Sequence, residues 1–197
     1  MTGTARTNTR DIARAAVRAE LAQVAFDLFR REGFDKVTLD DLAAAAGVSR
    51  STFLRYFGTK EDAVLGAFDG YDRRVADALL ARPADEDDWT ALRHAVGTLI
   101  ERYREDPAGS LATTRLVRDT PALCARHLTK QHNWRPALAQ ALAERAGSTR
   151  PPTLGQSVRA AAALDCLNVT LDHWIASEGR LDLVELLDEA FAALAAR

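Results

Sequence analysis

No run in the 197 residues approaches the ~18 to 20 consecutive apolar residues a transmembrane helix needs. The opening residues Met1-Thr2-Gly3-Thr4-Ala5-Arg6 are polar and carry no apolar segment of the signal-peptide kind. These two absences predict a cytoplasmic protein with no membrane partner. Cysteine is scarce: Cys124 and Cys166 are too few for a disulfide framework and are expected as buried, reduced thiols. The chain also lacks a phosphate-cradling glycine loop, a nucleophile elbow and a metalloprotease helix motif, so it is expected to be neither an enzyme nor a cofactor carrier. Cys124, His127 and His132 lie close together in sequence, but the spacing between the two histidines does not align them on one helical face. No metal site is expected there. His94 and His173 are lone histidines of the surface or a pocket wall.

Positive charge is in short supply overall, with 26 Lys and Arg against 28 Asp and Glu, a net charge of −2. The balance is uneven. Residues 1–60 hold ten basic and seven acidic side chains, whereas residues 61–197 hold sixteen and twenty-one. Only the N-terminal part is suited to face phosphate, because the electrostatic term depends on the contacting surface and not on total charge. An apolar content of 47% in a chain of this length supports a globular protein of one large or two small domains.

What is present is concentrated between Thr38 and Lys60. Thr38 with Asp41 three residues on forms a capping-box pattern for a helix beginning at Leu39. Leu39, Leu42, Ala43 and Ala46 recur at helical spacing, and Gly47 can take the positive φ of an abrupt stop. Val48 plugs the corner and Ser49 caps a second helix whose narrow buried face is Phe53 and Phe57. Its outward face, with Arg50, Ser51 and Arg55, is short, cationic and hydroxyl-rich, as suits a helix entering a DNA major groove.

Gly47-Val48-Ser49, Thr52, Tyr56-Phe57 and Lys60 stand at the spacing of the TetR-family DNA-binding signature, and the chain resembles that family over roughly residues 14 to 64. The resemblance implies an all-α homodimer. It implies an N-terminal three-helix DNA-binding domain with a helix-turn-helix, followed by a helical ligand-binding and dimerisation domain. It also implies that Thr38, Thr52, Tyr56 and Lys60 serve the phosphate backbone, while Arg50, Ser51 and Arg55 occupy the positions that vary with the operator and read bases. Leu54 departs from the pattern, which usually has a phosphate-donating tyrosine there.

The remaining periodicity reads as helix throughout, about nine helices in all. Residues 1–10 form a basic arm with Arg6 and Arg10, which either follows the DNA backbone or minor groove or is simply a solvated terminus. A first helix over 11–32 places Arg14 and Arg18 one turn apart, where they serve either phosphate contacts or a solvated face. A long helix from about Thr59 to Arg82, capped by Thr59, links the DNA-binding domain (residues 11–58) to a second domain (residues 59–197). Helices over about 89–103, 108–119, 120–146, 153–177 and 181–196 follow, with Pro136 expected to kink the 120–146 helix near Asn133.

With the resemblance, Trp89, Leu92, Val96, Tyr103, Leu116, Trp134, Leu138 and Asn168 are candidate walls of an effector pocket. Asp165, Asn168 and Asp172 are either polar anchors of that pocket or residues of solvent or an interface, the second being favoured. The very apolar terminal helix pair points to a two-fold interface through Leu164, Leu167, Leu171, Val184, Leu187, Phe191 and Leu194. The expected partners are a double-stranded DNA operator, a small hydrophobic or amphipathic effector and a second copy of the chain. The expected function is a repressor that the effector releases from a palindromic operator. The alternative is a helix-turn-helix protein that binds DNA without a small-molecule ligand.

Overall fold

The computed structural model describes residues 9–195, and every regular element among them is helical. Residues 1–8 of the expected arm lie outside the described residues. Thr9 and Arg10 belong to the first helix. The chain divides into two compact units, Met1–Phe68 and Asp69–Arg197, so the boundary falls ten residues beyond the one expected after Gly58.

The first unit contains α1 (Thr9–Glu32), α2 (Leu39–Ala45), α3 (Arg50–Tyr56), α4 (Lys60–Leu65) and a single 3-10 turn, Gly66–Phe68. Helices of six or seven residues have little stability of their own and depend on caps and tertiary burial. Both are supplied. Thr38 and Asp41 form a reciprocal capping box on α2, Ser49 caps α3, and Thr59 and Asp62 form a second box on α4. The core beneath them is aromatic. Phe29 and Phe34 pack with centroids 4.9 Å apart and Phe53 and Phe57 at 5.2 Å, all four nearly solvent-free. In α1 the apolar stripe is buried only from Leu21 onward, and Ile12 and Ala16 are exposed.

The second unit comprises α5 (Tyr71–Leu80), α6 (Asp88–Gly97), α7 (Glu101–Glu105), α8 (Pro107–Asp119), α9 (Pro121–His132), α10 (Arg135–Arg145), α11 (Leu154–Ala176) and α12 (Leu183–Leu194). α10 lies against α5 and α11, α12 lies against α11 and α6, and α8 packs on α7, α9 and α11. Leu92, Val96, Leu138, Leu142, Leu164 and Leu187 are almost completely buried. Each such side chain contributes about 1.5–3 kcal/mol relative to exposure.

Among the described residues twelve α-helices stand where about nine were expected, because three expected helices are each interrupted once. The long helix from Thr59 to Arg82 is not continuous: after α4 and the 3-10 turn, Gly70 takes φ 78° and α5 starts afresh at Tyr71. A left-handed residue cannot continue a right-handed helix, so no single rod links the two units. The 89–103 helix breaks after Gly97, where the N–H groups of Thr98, Leu99 and Ile100 reach back three residues to Ala95, Val96 and Gly97 and tighten the chain into successive turns. The 120–146 helix does not merely kink. α9 ends at His132, the Asn133 and Trp134 N–H groups turn back on Lys130 and Gln131, and Pro136 stands in the first turn of α10. Proline is tolerated there, since the N–H it lacks would have no helical acceptor.

The interface expectation also changes. Leu164, Leu167, Leu171, Leu187 and Phe191 are 0–4% exposed inside the single chain, so they build its own core and are not a surface. Val184 is half-buried, and of the expected set only Leu194 is exposed. The exposed apolar side of α11 is instead Leu154, Val158 and Val169. Both sides of α11 carry apolar residues, and its inward side is the one that α6, α10 and α12 cover.

The end of α5 and the connection to α6 are held by one side chain. Arg145 donates to the carbonyls of Leu79 (3.3 Å), Arg82 (2.9 Å), Pro83 (3.0 Å) and Glu86 (3.0 Å), with only 5% of its side chain exposed. The Leu79 and Pro83 carbonyls also accept the backbone N–H groups of Arg82 and Glu86, both at 3.2 Å, so the guanidinium reinforces a turn that the backbone already forms. Arg145→Ala is expected to destabilise the chain by about 2–4 kcal/mol in urea unfolding, with Arg145→Lys recovering only part of the loss.

Candidate functional site

α2, the Gly47 turn and α3 present the candidate nucleic-acid face. Gly47 takes φ 65°, and the Gly47 and Val48 N–H groups bond back to Ala44 (3.1 Å) and Ala43 (3.0 Å), closing α2 within one residue. Ser49 Oγ accepts from Thr52 N–H at 3.1 Å, starting α3 at once. Phe53 and Phe57 point inward, and Arg50, Ser51 and Arg55 are left exposed on the outer side. Arg50 Nη1 lies 3.4 Å from Asp40 Oδ2 in a solvated pair worth little, so it is free to exchange partners on DNA. Ser51 Oγ lies 3.0 Å from Ser49 Oγ. Arg55 lies with its guanidinium carbon 5.8 Å from the Tyr56 ring centre.

The other expected residues are tied into the fold to differing degrees. Thr38 is exposed, and its hydroxyl donates to Asp41 Oδ2 at 2.7 Å while accepting from Asp41 N–H at 3.2 Å. The hydroxyl bond, followed by one from the Thr38 backbone N–H at 2.9 Å, holds the Asp41 carboxyl below the usual carboxylate range. Thr52 is half-buried and accepts from Ser49 Oγ at 3.0 Å. Leu54 is half-buried. Lys60 differs from its expected place. Its ammonium donates to the carbonyls of Phe34 (2.9 Å) and Val37 (3.3 Å) and sits 4.3 Å from the Phe34 ring centre, so it fastens α4 to the α1–α2 connection and does not extend toward solvent. Arg18 is likewise turned into the unit, over the Phe57 ring at 4.9 Å.

Two cations outside the helix-turn-helix complete the face. Arg10, Ala13, Arg14 and Val17 from α1 and Arg55 and Tyr56 from α3 line a shallow cleft of about 410 Å³. Three arginines around a phenol form a natural seat for a phosphate group. Spacing within α1 makes Arg14 exposed, but its convergence with Arg55 is tertiary and has no signal in the local pattern.

In the second unit the expected effector-pocket residues do not gather into one wall. Trp89 donates from Nε1 to the Phe191 carbonyl at 3.0 Å and stacks on the Phe191 ring at 4.6 Å, tying α6 to α12. Tyr103 meets Trp174 edge-on at 5.5 Å, and Trp134 packs on Tyr71 at 5.7 Å. Leu92, Val96 and Leu138 are core, and Leu116 is half-buried. Asn168 is half-buried and accepts from Arg118 through Oδ1 at 3.2 Å, while Arg118 also pairs with Asp172 at 3.0 Å. Asp165 pairs with Arg135 at 3.5 Å and remains exposed. Of the three residues weighed as a metal cluster, His127 is buried, His132 exposed and Cys124 intermediate.

His127 is buried within the second unit. Burial, reinforced by the nearby charges of Arg118 and Lys130, lowers it from 6.5 to about 4, so it is neutral at pH 7. The unfolded chain binds this proton below about pH 6.5, whereas the folded chain binds it only near pH 4. Its contribution to stability is therefore fully present above pH 6.5 and is lost as pH falls through that window. Relative to a His127→Gln variant, the wild type is expected to lose about 2 kcal/mol between pH 7 and pH 5 in urea titrations.

The DNA face yields a second expectation, read from binding titrations over a range of salt. Arg55→Ala should relax base preference at one operator position by about 1–3 kcal/mol. Arg14→Ala should weaken all sequences and lower the salt slope by about one ion. Lys60→Ala should lower the thermal midpoint and leave the salt slope unchanged, since its charge is spent on carbonyls; a reduced slope would return Lys60 to the phosphate contacts.

Comparison with known proteins agrees with this geometry. Residues 86–197 match the family described as "MftR C-terminal domain", and residues 21–65 that described as "Bacterial regulatory proteins, tetR family". The HTH-type transcriptional regulator TcmR of Streptomyces glaucescens is 32% identical over 136 residues, a match spanning 66% of this chain and 60% of that protein. Among solved structures, a SmeT–triclosan complex superposes with a TM-score of 0.62 at 18% identity, covering 90% of this chain and 91% of SmeT. Thermus thermophilus FadR in complex with lauroyl-CoA superposes at 0.52 with 24% identity, covering 91% and 96%. Two matched segments, one over the helix-turn-helix and one over more than half of the chain, leave no ambiguity: this chain belongs to the TetR family of bacterial transcriptional regulators.

Proposed function

We propose that the chain is a repressor that binds a palindromic operator as a homodimer and leaves it when a small molecule enters the second unit. The observation that carries the DNA part is the exposed set Arg50, Ser51 and Arg55 on α3, flanked by the Arg10–Arg14–Arg55 cleft. Base-reading and phosphate-holding side chains share one surface while Phe53 and Phe57 hold the helix from behind. The effector is supported by analogy with triclosan on SmeT and lauroyl-CoA on Thermus thermophilus FadR. DNA binding is assigned to the first unit, effector binding and dimerisation to the second. Because Gly70 interrupts the connection between α4 and α5, release does not need a rigid lever shared by both units.

The dimer reading rests on α11. Val158, Ala162, Asp165, Val169, Asp172 and Ala176 alternate at intervals of four and three residues, the spacing of a helix-packing seam. Leu154 and Val158 are 82% and 58% exposed and Val169 51%, an unusual apolar exposure for one helix face. The two acids on the seam are already paired within the chain, Asp165 with Arg135 and Asp172 with Arg118, so a second copy does not meet bare negative charge.

Selection of bound sequences from random DNA tests the reading as a whole, and the expected product is an inverted repeat; an asymmetric or degenerate product would sink it. Val169→Asp is expected to give a folded monomer by light scattering with operator affinity lost, whereas Leu187→Asp, aimed at the core, should fail to fold. A dimeric Val169→Asp would move the interface off α11.

A further inference from the structure

A carboxylate on a surface that meets DNA is a liability, because it repels phosphate whatever the sequence. α2 carries two in its first turn, Asp40 and Asp41, both exposed. Asp41 is accounted for by folding. Its Oδ2 accepts from the Thr38 N–H at 2.9 Å and from the Thr38 hydroxyl at 2.7 Å, which closes the capping box. Asp40 has no such duty. Among the described residues its carboxylate has one polar partner, Arg50 at the start of α3, ten positions on and across the Gly47 turn.

The contact engages one end of the guanidinium and leaves the other open. Arg50 Nη1 lies 3.4 Å from Asp40 Oδ2, and among the described residues neither Nε nor Nη2 is bonded. A guanidinium holds five N–H donors in a fixed plane. With Nη1 on Asp40, the Nε–Nη2 edge keeps the parallel pair of donors that matches O6 and N7 of guanine. Arg55 on the same helix makes no ion pair among the described residues and lies near the Tyr56 ring, at 5.8 Å. One arginine of α3 is therefore neutralised before DNA arrives and the other is not.

The pair holds little folding free energy, since its side chains are 58% and 68% exposed. Its effect is on binding. Together Arg50 and Asp40 bring no net charge to the phosphates, so Arg50 adds almost nothing to sequence-independent attraction while it stays paired. Exchanging the carboxylate for one phosphate oxygen replaces like with like and leaves Asp40 bare beside the backbone. A guanine is different, because Nε and Nη2 can meet it while Nη1 stays on Asp40.

Resting on the reading that α3 enters an operator, we infer that Asp40 is a specificity-determining residue of the DNA face: it cancels the charge of Arg50 toward phosphate and reserves the free edge of that guanidinium for guanine. It is a positioning residue, acting through Arg50 and touching no base itself.

Selection of bound sequences from random DNA by the wild type, Asp40→Asn, Arg50→Ala and the double variant tests the role, followed by titration on the selected duplex and on a scrambled duplex over a range of salt. Asp40→Asn is expected to tighten binding to the scrambled duplex and to steepen the salt slope by about one ion. It should also lower the preference for guanine at one position of each half-site by about two- to fivefold, the span set by an exposed ion pair. The thermal midpoint should stay unchanged, since the Thr38 and Asp41 box is untouched. With Arg50→Ala that preference is already lost, and adding Asp40→Asn should alter it no further. A carboxylate that only repels phosphate would tighten both duplexes equally and leave the guanine preference of Asp40→Asn intact, which overturns the role. A loss of preference of the same size with Arg50 absent overturns it too. A wild type that enriches no sequence overturns the DNA reading itself, and the role of Asp40 falls with it.

Discussion

The burial of Phe53 and Phe57 is the constraint on which the DNA-binding unit depends. A helix of seven residues does not form alone in water, because the cost of nucleating its first turn is recovered over too few hydrogen bonds. Two phenylalanines one turn apart, both at most 1% exposed, hold α3 in place, and the Ser49 cap and the Gly47 turn fix where it starts. Since the inward face is used up by two aromatic rings, Arg50, Ser51 and Arg55 of so short a helix are left outside. Structure and recognition therefore divide the same seven residues with almost no overlap. The exceptions are instructive: Thr52 is half-engaged by the cap, and Leu54 is half-buried where a polar anchor would reach DNA.

Much of this was legible in the sequence, and for a physical reason. Caps, glycine stops and one-face aromatic patterns are local, so Thr38 with Asp41, Ser49, Gly47 and Thr59 with Asp62 all stand where their spacing put them. The three helix interruptions were not legible, because the apolar period runs on through each of them. Asp69-Gly70, Gly97 and Asn133-Trp134 break the backbone without breaking the pattern, and only at Pro136 did a residue announce trouble. The side of α11 that faces inward was equally hidden. Leu164, Leu167 and Leu171 form as good a stripe as Val158 and Val169, and their burial follows from where α6, α10 and α12 pack. Lys60 shows a subtler failure. It stands in the first turn of α4, but an ammonium on a flexible stem takes acceptors within reach, here the Phe34 and Val37 carbonyls.

Arginine plays two opposed parts in the two units, and burial decides which. On the first unit Arg14, Arg50 and Arg55 are exposed, which costs little in the free protein and leaves their charge within reach of phosphate. In the second unit Arg93, Arg118 and Arg145 are 16%, 16% and 5% exposed at the side chain and each is matched to carboxylates or carbonyls. A buried guanidinium without such partners would be strongly destabilising, so these three act as cross-links between helices. The acidic surplus of the second unit is in part the counterpart of these cross-links, because Asp172 and Asp188 serve the arginines that hold α8 to α11 and α6 to α12.

The polar atoms of α8, α9 and α11 stand against this economy. Four carbonyls meet Arg145 and paired caps close the starts of α2 and α4, whereas α9 and α10 start without a side-chain cap bond. Gln131 Oε1 and Thr170 Oγ1 meet no hydrogen-bond partner within the chain, and the same holds for Arg135 Nε and Arg145 Nε. Selection for stability alone would remove the first two, since stabilising substitutions are easy to reach and usually neutral outside a functional site. Their retention is intelligible if the ligand-free state is held at a cost that binding relieves. The proposed release needs a ligand that binds one arrangement of the second unit better than the others, since only such differential binding can shift a population between DNA-competent and DNA-incompetent states.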